Sequence, residues 1–222
     1  EGSCGRFGAP HLAGAGGGER AAMAELIYGF DPLCGWCYGI VPAMRRVARD
    51  HPEVPIRLVM AGLVSGERVG PYREMEGYIR SAAPRLREVT GRAPSEAFFR
   101  LIAREGVTGD SGPPCIAIAH VAGQAPACAV PFAHRVIEAH FEDGADLGDA
   151  ATYAPLLAAI GLPAQLPDLG DRALAERIWE AGRRIGLRAF PTLAVVRDGR
   201  AQVLPSEYDP GRLSELVAKA VK

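Results

Sequence analysis

At 222 residues and 48% apolar composition, the chain can bury a full core as one domain, with or without an insertion, and it is too apolar to be disordered. With 25 basic and 26 acidic residues the net charge is −1, which excludes the basic footprint of a nucleic-acid or anionic-membrane binder. Five unevenly spaced cysteines (Cys4, Cys34, Cys37, Cys115, Cys128) are too few for a disulfide scaffold, and the odd count leaves at least one thiol unpaired.

Residues 1–22 are Gly-rich and carry no apolar periodicity, which predicts a flexible extension or an expression remnant ahead of a natural start at Met23. Cys4 is then incidental. A chain starting at Met23 has no export signal and is expected to work in the cytoplasm; an export signal already trimmed away is the alternative. Ala24 to Phe30 reads as a buried parallel strand. It runs directly into Asp31-Pro32-Leu33-Cys34-Gly35-Trp36-Cys37, after which Cys37, Ile40, Val41, Met44, Val47 and Ala48 recur at helical spacing as far as Asp50-His51-Pro52. Pro42 falls inside this helix and is expected to kink it or open its first turns. Pro55 to Ala61 is a second strand, so the opening stretch forms a right-handed βαβ unit with the cysteine pair at the carboxyl end of its first strand, where open α/β sheets place their sites.

That placement gives the pair its chemistry. Unpaired N–H groups and the positive end of the helix dipole favour a thiolate on Cys34, and Cys37 lies one turn further on the same face, within reach of a small disulfide ring. A half zinc site or two core thiols are the bland alternatives. A zinc set of Cys34, Cys37, Cys115 and Cys128 lacks short ligand spacing in its second pair.

Between Leu63 and about Gly170 helical periodicity replaces strand character. The helical groups are Tyr72, Met75, Ile79 and Ala82; Phe98, Leu101, Ile102 and Glu105 after Pro94-Ser95; Cys115, Ile118, Ala119 and Ala122 after Pro113-Pro114; Phe132, Val136, Ile137, His140 and Phe141; and Leu156, Leu157 and Ile160 after Thr152. A longer helix over 171–186 is expected to turn Leu174, Ile178, Ala181 and Ile185 inward. Strand character returns over 190–196, Asp198-Gly199 predicts a hairpin turn into a strand over 201–204, and Asp209-Pro210 caps a last helix with Leu213, Leu216, Val217 and Ala220 buried. The expected organisation is an α/β unit formed by 23–62 and 171–222, interrupted by an all-helical insertion over 63–170.

Pro191, at the head of a core strand, cannot donate to the ladder and needs another reason to be there. A cis Phe190-Pro191 bond beside the cysteines would turn the backbone of residue 190 outward toward an extended substrate peptide. Tyr28 through Gly39, the helical insertion and Ala189-Phe190-Pro191-Thr192 together resemble the DsbA-like thiol-disulfide oxidoreductases of the thioredoxin superfamily, especially the FrnE-type branch described as protein-disulfide isomerases. The resemblance spans residues 24 to 222. It implies a thioredoxin-like fold with a large helical insertion, Cys34 as attacking cysteine, Cys37 as resolving cysteine and Pro191 as the cis-proline. Gly35-Trp36 stands where the strong oxidant has Pro-His and thioredoxin has Gly-Pro. Trp36 cannot share positive charge with a thiolate and instead offers the substrate an apolar surface, so Cys34 is expected to titrate at roughly 4.5 to 7, between DsbA and thioredoxin.

The remaining candidates carry less. Cys115 and Cys128 sit among apolar residues, as buried hydrophobes, a second disulfide or a regulatory thiol. His120, His134 and His140 read as core or solvated residues, and His51 as a helix-end residue. The functional expectation is a thiol-disulfide oxidoreductase exchanging disulfides with protein or small-thiol substrates through Cys34 and Cys37, with Gly35, Trp36, Phe190 and Pro191 positioning the substrate. It calls for no cofactor and no metal, and for glutathione or a thioredoxin-type protein as redox partner. Two alternatives stand beside it: a glutathione-dependent isomerase or transferase of kappa-like architecture, and a peptide-binding chaperone on the same fold.

Overall fold

The computed structural model describes residues 24–222; the readings placed on residues 1–22, on Met23 as a start and on Cys4 lie outside the described residues. Strand β1 (Glu25–Phe30) leads into helix α1 (Gly35–Asp50), which returns the chain to β2 (Ile56–Met60) in parallel, with Leu26 beside Ile56 and Phe30 beside Met60. Helices α2 (Glu76–Thr90), α3 (Glu96–Ile102), α4 (Gly112–Gln124), α5 (Ala129–Phe141), α6 (Tyr153–Ala158) and α7 (Arg172–Arg184) follow. The α2–α3 region is tied down by two strands of two residues each, β3 (Gly70–Pro71) and β4 (Thr108–Gly109). Then β5 (Thr192–Arg197) pairs antiparallel with β1, β6 (Arg200–Val203) turns back onto β5, and α8 (Pro210–Ala220) packs against α1. The sheet order is β2-β1-β5-β6, which puts β1 in the interior. This is the α/β, thioredoxin-like fold with helices inserted between β2 and the closing hairpin. Among the described residues no helix is long and apolar enough to cross a membrane.

Local chemistry accounts for the boundaries. Ser95, Asp171 and Asp209 accept the N–H groups of Phe98, Leu174 and Arg212 at 3.1, 2.9 and 2.8 Å, each satisfying one orphan donor of a helix start. Asp198 and Gly199 both take positive φ, 51° and 71°, as a tight two-residue hairpin requires. Leu26, Tyr28 and Phe30 alternate into the large core, while Ile27 faces a smaller cluster with Val59, Leu187 and Ala194.

Three expectations need correcting. Strand character does not vanish between 63 and 170, because β3 and β4 are too short, and too rich in Gly and Pro, to carry a period. Glu105 is not on a buried helical face; α3 ends at Ile102 and the Glu105 side chain is exposed. The buried face of α7 is rotated from the one its large apolar residues suggest: Ala175, Trp179 and Gly182 are buried, Leu174 and Ile178 only half-buried, Ala181 exposed and Ile185 53% exposed. The reason is close approach. A Cβ on Gly182 would lie 2.6 Å from the Met60 carbonyl, so the helix meets β2 through its smallest residue.

Helix α1 runs through Pro42 without a break. Proline has no N–H to give the carbonyl of Tyr38, and Arg92 supplies the missing donor at 3.2 Å, with its guanidinium 4.0 Å above the Tyr38 ring. Gly182→Val should therefore push α7 off β2 and destabilise the chain by about 1–3 kcal/mol, read as a lowered urea midpoint with little change in slope.

Candidate active site

Cys34 occupies the N-cap position of α1 in extended conformation (φ −87°, ψ 117°), held by its N–H to the Asp31 carbonyl at 3.1 Å. Its thiol donates to the Phe190 carbonyl at 3.7 Å, across 156 residues of sequence, and the Phe190-Pro191 peptide is cis. Both cysteines of the pair are free thiols. Cys34, Gly35, Trp36 and Phe190 line one cleft of about 520 Å³, and Cys37 lies beneath it, fully buried. Trp36 is 37% exposed at the mouth, its ring 5.7 Å from Tyr208.

The electrostatics of the two sulfurs diverge. The Cys34 pKa is lowered, first by a hydrogen bond from the Cys37 thiol and then by the N–H groups of Cys37 and Trp36 at the helix start, against burial and the charge of Asp31. The Cys37 pKa is raised well above the ordinary thiol value, first by burial and then by its hydrogen bond to Cys34 and that sulfur's charge. One sulfur is thus prepared to be a thiolate and the other to stay protonated.

Asp31 is fully buried, and burial raises its pKa despite its donors. Its Oδ1 accepts from the Leu33 N–H and the Ser111 hydroxyl, both at 2.9 Å, and its Oδ2 from the Leu63 N–H at 2.7 Å. Ser111 in turn binds Val64 through both N–H to carbonyl (2.9 Å) and hydroxyl from N–H (3.0 Å). The loop carrying Cys34 is thereby locked to the chain after β2 and to the start of α4.

Sequence reasoning left out most of the distant cleft residues, among them Arg68, Tyr78, Arg188 and the nearby Tyr208, which no local pattern marks, and read Tyr72 only as part of a helical face. The other candidates lie elsewhere. Cys115 is a free, fully buried thiol, so the disulfide weighed between it and Cys128 is absent; Cys128 is buried too. His134 and His140 are buried, and burial brings them down to about 3 and about 4, so both are neutral at physiological pH. His140 pairs with the Tyr72 hydroxyl and the Ala145 carbonyl. His51 closes α1 and bonds Ser214 on α8.

No protein-family model matches the chain, and no curated protein matches it in sequence. Solved structures do. The cytosolic disulfide reductase DsbM from Pseudomonas aeruginosa is 25% identical over 88% of this chain and 97% of its own, with a TM-score of 0.72, and its structure with GSH aligns at 0.70. A candidate protein disulfide isomerase from Nitrosomonas europaea is 20% identical over 89% and 97% of the two chains, TM-score 0.72. A candidate DsbA oxidoreductase from Streptomyces coelicolor is 14% identical over 88% and 91%, TM-score 0.59. The last two likenesses speak to the fold alone.

Removing the Cys37 donor by Cys37→Ala should raise the Cys34 titration toward the ordinary thiol value, and removing a negative charge by Asp31→Asn should lower it further; ultraviolet thiolate absorbance of the reduced protein reads both. The sign for stability follows from the lowered Cys34 pKa: its contribution to the reduced fold is present above the unfolded thiol pKa and is lost as pH falls through the folded one.

Proposed function

We propose that the chain, which is similar in structure to the disulfide reductase DsbM and carries a lowered-pKa thiol at the floor of an open cleft, is a protein-disulfide oxidoreductase working through Cys34 and Cys37. The observation that carries this is the placement of Cys34 at the start of α1, in the cleft and with its thiol on the Phe190 carbonyl before a cis Pro191, with Cys37 buried one turn behind it. The Cys34 thiolate attacks a substrate disulfide, forming a mixed disulfide and releasing one substrate thiolate. Cys37 then attacks Cys34 Sγ, the Cys34–substrate S–S bond breaks, and the second substrate sulfur leaves with the electron pair. The pair ends as a disulfide, having given two electrons. Gly35, Trp36, Phe190 and Pro191 position the substrate chain beside Cys34.

Glutathione is the proposed redox partner, two molecules returning the pair to the dithiol. The support is twofold: the Pseudomonas reductase has a structure with GSH, and the cleft carries Arg68 and Arg188, neither of which forms an ion pair among the described residues. Two guanidinium groups against the single carboxylate of Glu74, on an otherwise largely apolar lining, leave the cleft net positive and suit a thiol tripeptide with two carboxylates. The cytoplasmic setting is proposed on the cytosolic description of the same relative. The reductive direction has a physical basis as well: no cation lies among the groups that lower Cys34, and Asp31 opposes them, so the thiolate lacks the stabilisation of a strong oxidant.

The expected reduction potential of the Cys34–Cys37 couple is therefore nearer the roughly −270 mV of thioredoxin than the roughly −120 mV of DsbA, measured by equilibration against glutathione buffers. Cys34→Ser should abolish insulin-disulfide reduction, and Cys37→Ser should accumulate a mixed disulfide visible by mass. If aggregation suppression rather than disulfide reduction is the activity that exists and survives Cys34→Ser, the chain is a chaperone instead. Arg188→Gln should raise the glutathione concentration needed for half-maximal re-reduction of the Cys34–Cys37 disulfide about tenfold, with little change toward an uncharged small thiol.

A further inference from the structure

Ser111 stands at the N-cap of α4, where a serine hydroxyl ordinarily accepts the N–H of the second or third helical residue. Those residues are Pro113 and Pro114, which have no N–H to give, and the Gly112 N–H goes to the Asp110 carboxylate at 2.8 Å. Capping therefore leaves the Ser111 hydroxyl unspent, although the residue is fully buried. Its partners lie far off in sequence. The hydroxyl donates to Asp31 Oδ1 at 2.9 Å and accepts the Val64 N–H at 3.0 Å, while the Ser111 N–H donates to the Val64 carbonyl at 2.9 Å. Asp31 holds Leu33 through Oδ1 at 2.9 Å and Leu63 through Oδ2 at 2.7 Å. Leu33, Cys34, Leu63 and Val64 all line the cleft, so the bonds that fix two parts of its lining meet at Asp31 and Ser111.

We infer that Ser111 is a positioning residue for substrate capture: with Asp31 as its intermediary, it fixes the Leu63–Val64 wall of the cleft relative to Cys34. This rests on the dithiol mechanism above. Leu63 and Val64 lie outside every strand and helix, between Gly62 and Gly66, both at positive φ. Their two N–H groups are held by side chains, Leu63 by Asp31 and Val64 by Ser111. Attack by Cys34 needs the substrate disulfide presented in line with its sulfur, and a wall out of place by about 1 Å forfeits much of that alignment. The hydroxyl thus acts on the presentation of the substrate, and the thiolate itself is left to the start of α1. Through this one side chain the inserted helices reach the site.

Insulin-disulfide reduction reads capture, and alkylation by iodoacetamide, too small to need the wall, reads the Cys34 thiolate alone. In Ser111→Ala, insulin reduction should fall about tenfold relative to alkylation. The Val64 amide should exchange with deuterium faster, while the β1 amides keep their wild-type rates. Asp31→Asn puts an NH2 group where one carboxylate oxygen accepted a donor, so it should lower the same ratio by a similar factor. Joined to Ser111→Ala it should add no more than about twofold, as two parts of one clasp. Should Ser111→Ala not fold, the ratio in Asp31→Asn decides alone. An unchanged ratio, insulin reduction and alkylation falling together, β1 amides loosened as much as Val64, or losses that multiply in the double variant each overturns the inference and leaves the dithiol mechanism standing. A wild-type chain that reduces no insulin disulfide overturns that mechanism, and the role of Ser111 with it.

Discussion

Two thiolates cannot coexist one helical turn apart in an apolar enclosure, and the site is arranged around that constraint. Charge on Cys34 is welcomed by the first N–H groups of α1 and by the Cys37 thiol; the same charge, together with burial, forbids it on Cys37. The asymmetry comes from depth and position on one helix rather than from different residue types. Cys34 sits at the open end, where donors are unspent, and Cys37 one turn in, where the helix consumes its own backbone groups. The carbonyl of Phe190 completes the enclosure from the segment just before β5, the strand paired with β1 on the side away from β2.

Such an arrangement requires α1 to be immobile, and most of the long-range polar contacts near it serve that end. Pro42 leaves the Tyr38 carbonyl bare, and Arg92, which also pairs with Glu138 and Glu142, fills it. Glu138 on α5 is bound through both oxygens by Arg45 on α1 at 2.7 Å; burial alone would raise its pKa, but Arg45, Arg92 and Arg135 hold it below the usual carboxylate range. Asp31 plays the matching part at the other end, locking the loop before α1 to Leu63 and Ser111. A buried carboxylate beside a thiolate is costly for the thiolate, and the three donors to Asp31 limit how far its charge is felt.

What could be read along the chain was what local chemistry encodes. The β1 run, the helical spacing after Cys34, the caps Ser95, Asp171 and Asp209 and the Asp198-Gly199 turn each announce themselves within a few residues. Interactions between distant segments do not. The ladder of β3 and β4 is too short to show a period, and the buried face of α7 is set by Gly182 meeting a backbone carbonyl, a contact hydrophobicity cannot report. Arg68, Arg188 and Tyr208 come to the cleft through folding alone, and nothing in their neighbours marks them. Pro42 shows the same limit: read locally it predicts a kink or opened first turns, and the helix instead runs on unbroken, with the bare carbonyl met by a residue fifty positions on.

The cleft itself is built unevenly. On one side Cys34, Gly35 and Phe190 belong to elements anchored in the sheet and the main core. On the other, α2 contributes Tyr78, Ile79, Ala82, Ala83 and Leu86, and of its fifteen residues only Leu86 is buried. Helices held by so few core contacts open and shift at the low end of a protein's free-energy scale, whereas the sheet does so only near global unfolding. The cysteine pair is therefore kept rigid while the opposite wall of the cleft can give, which suits the disulfide exchange proposed for it, where two sulfurs must stay in register while disulfides of different shape are admitted.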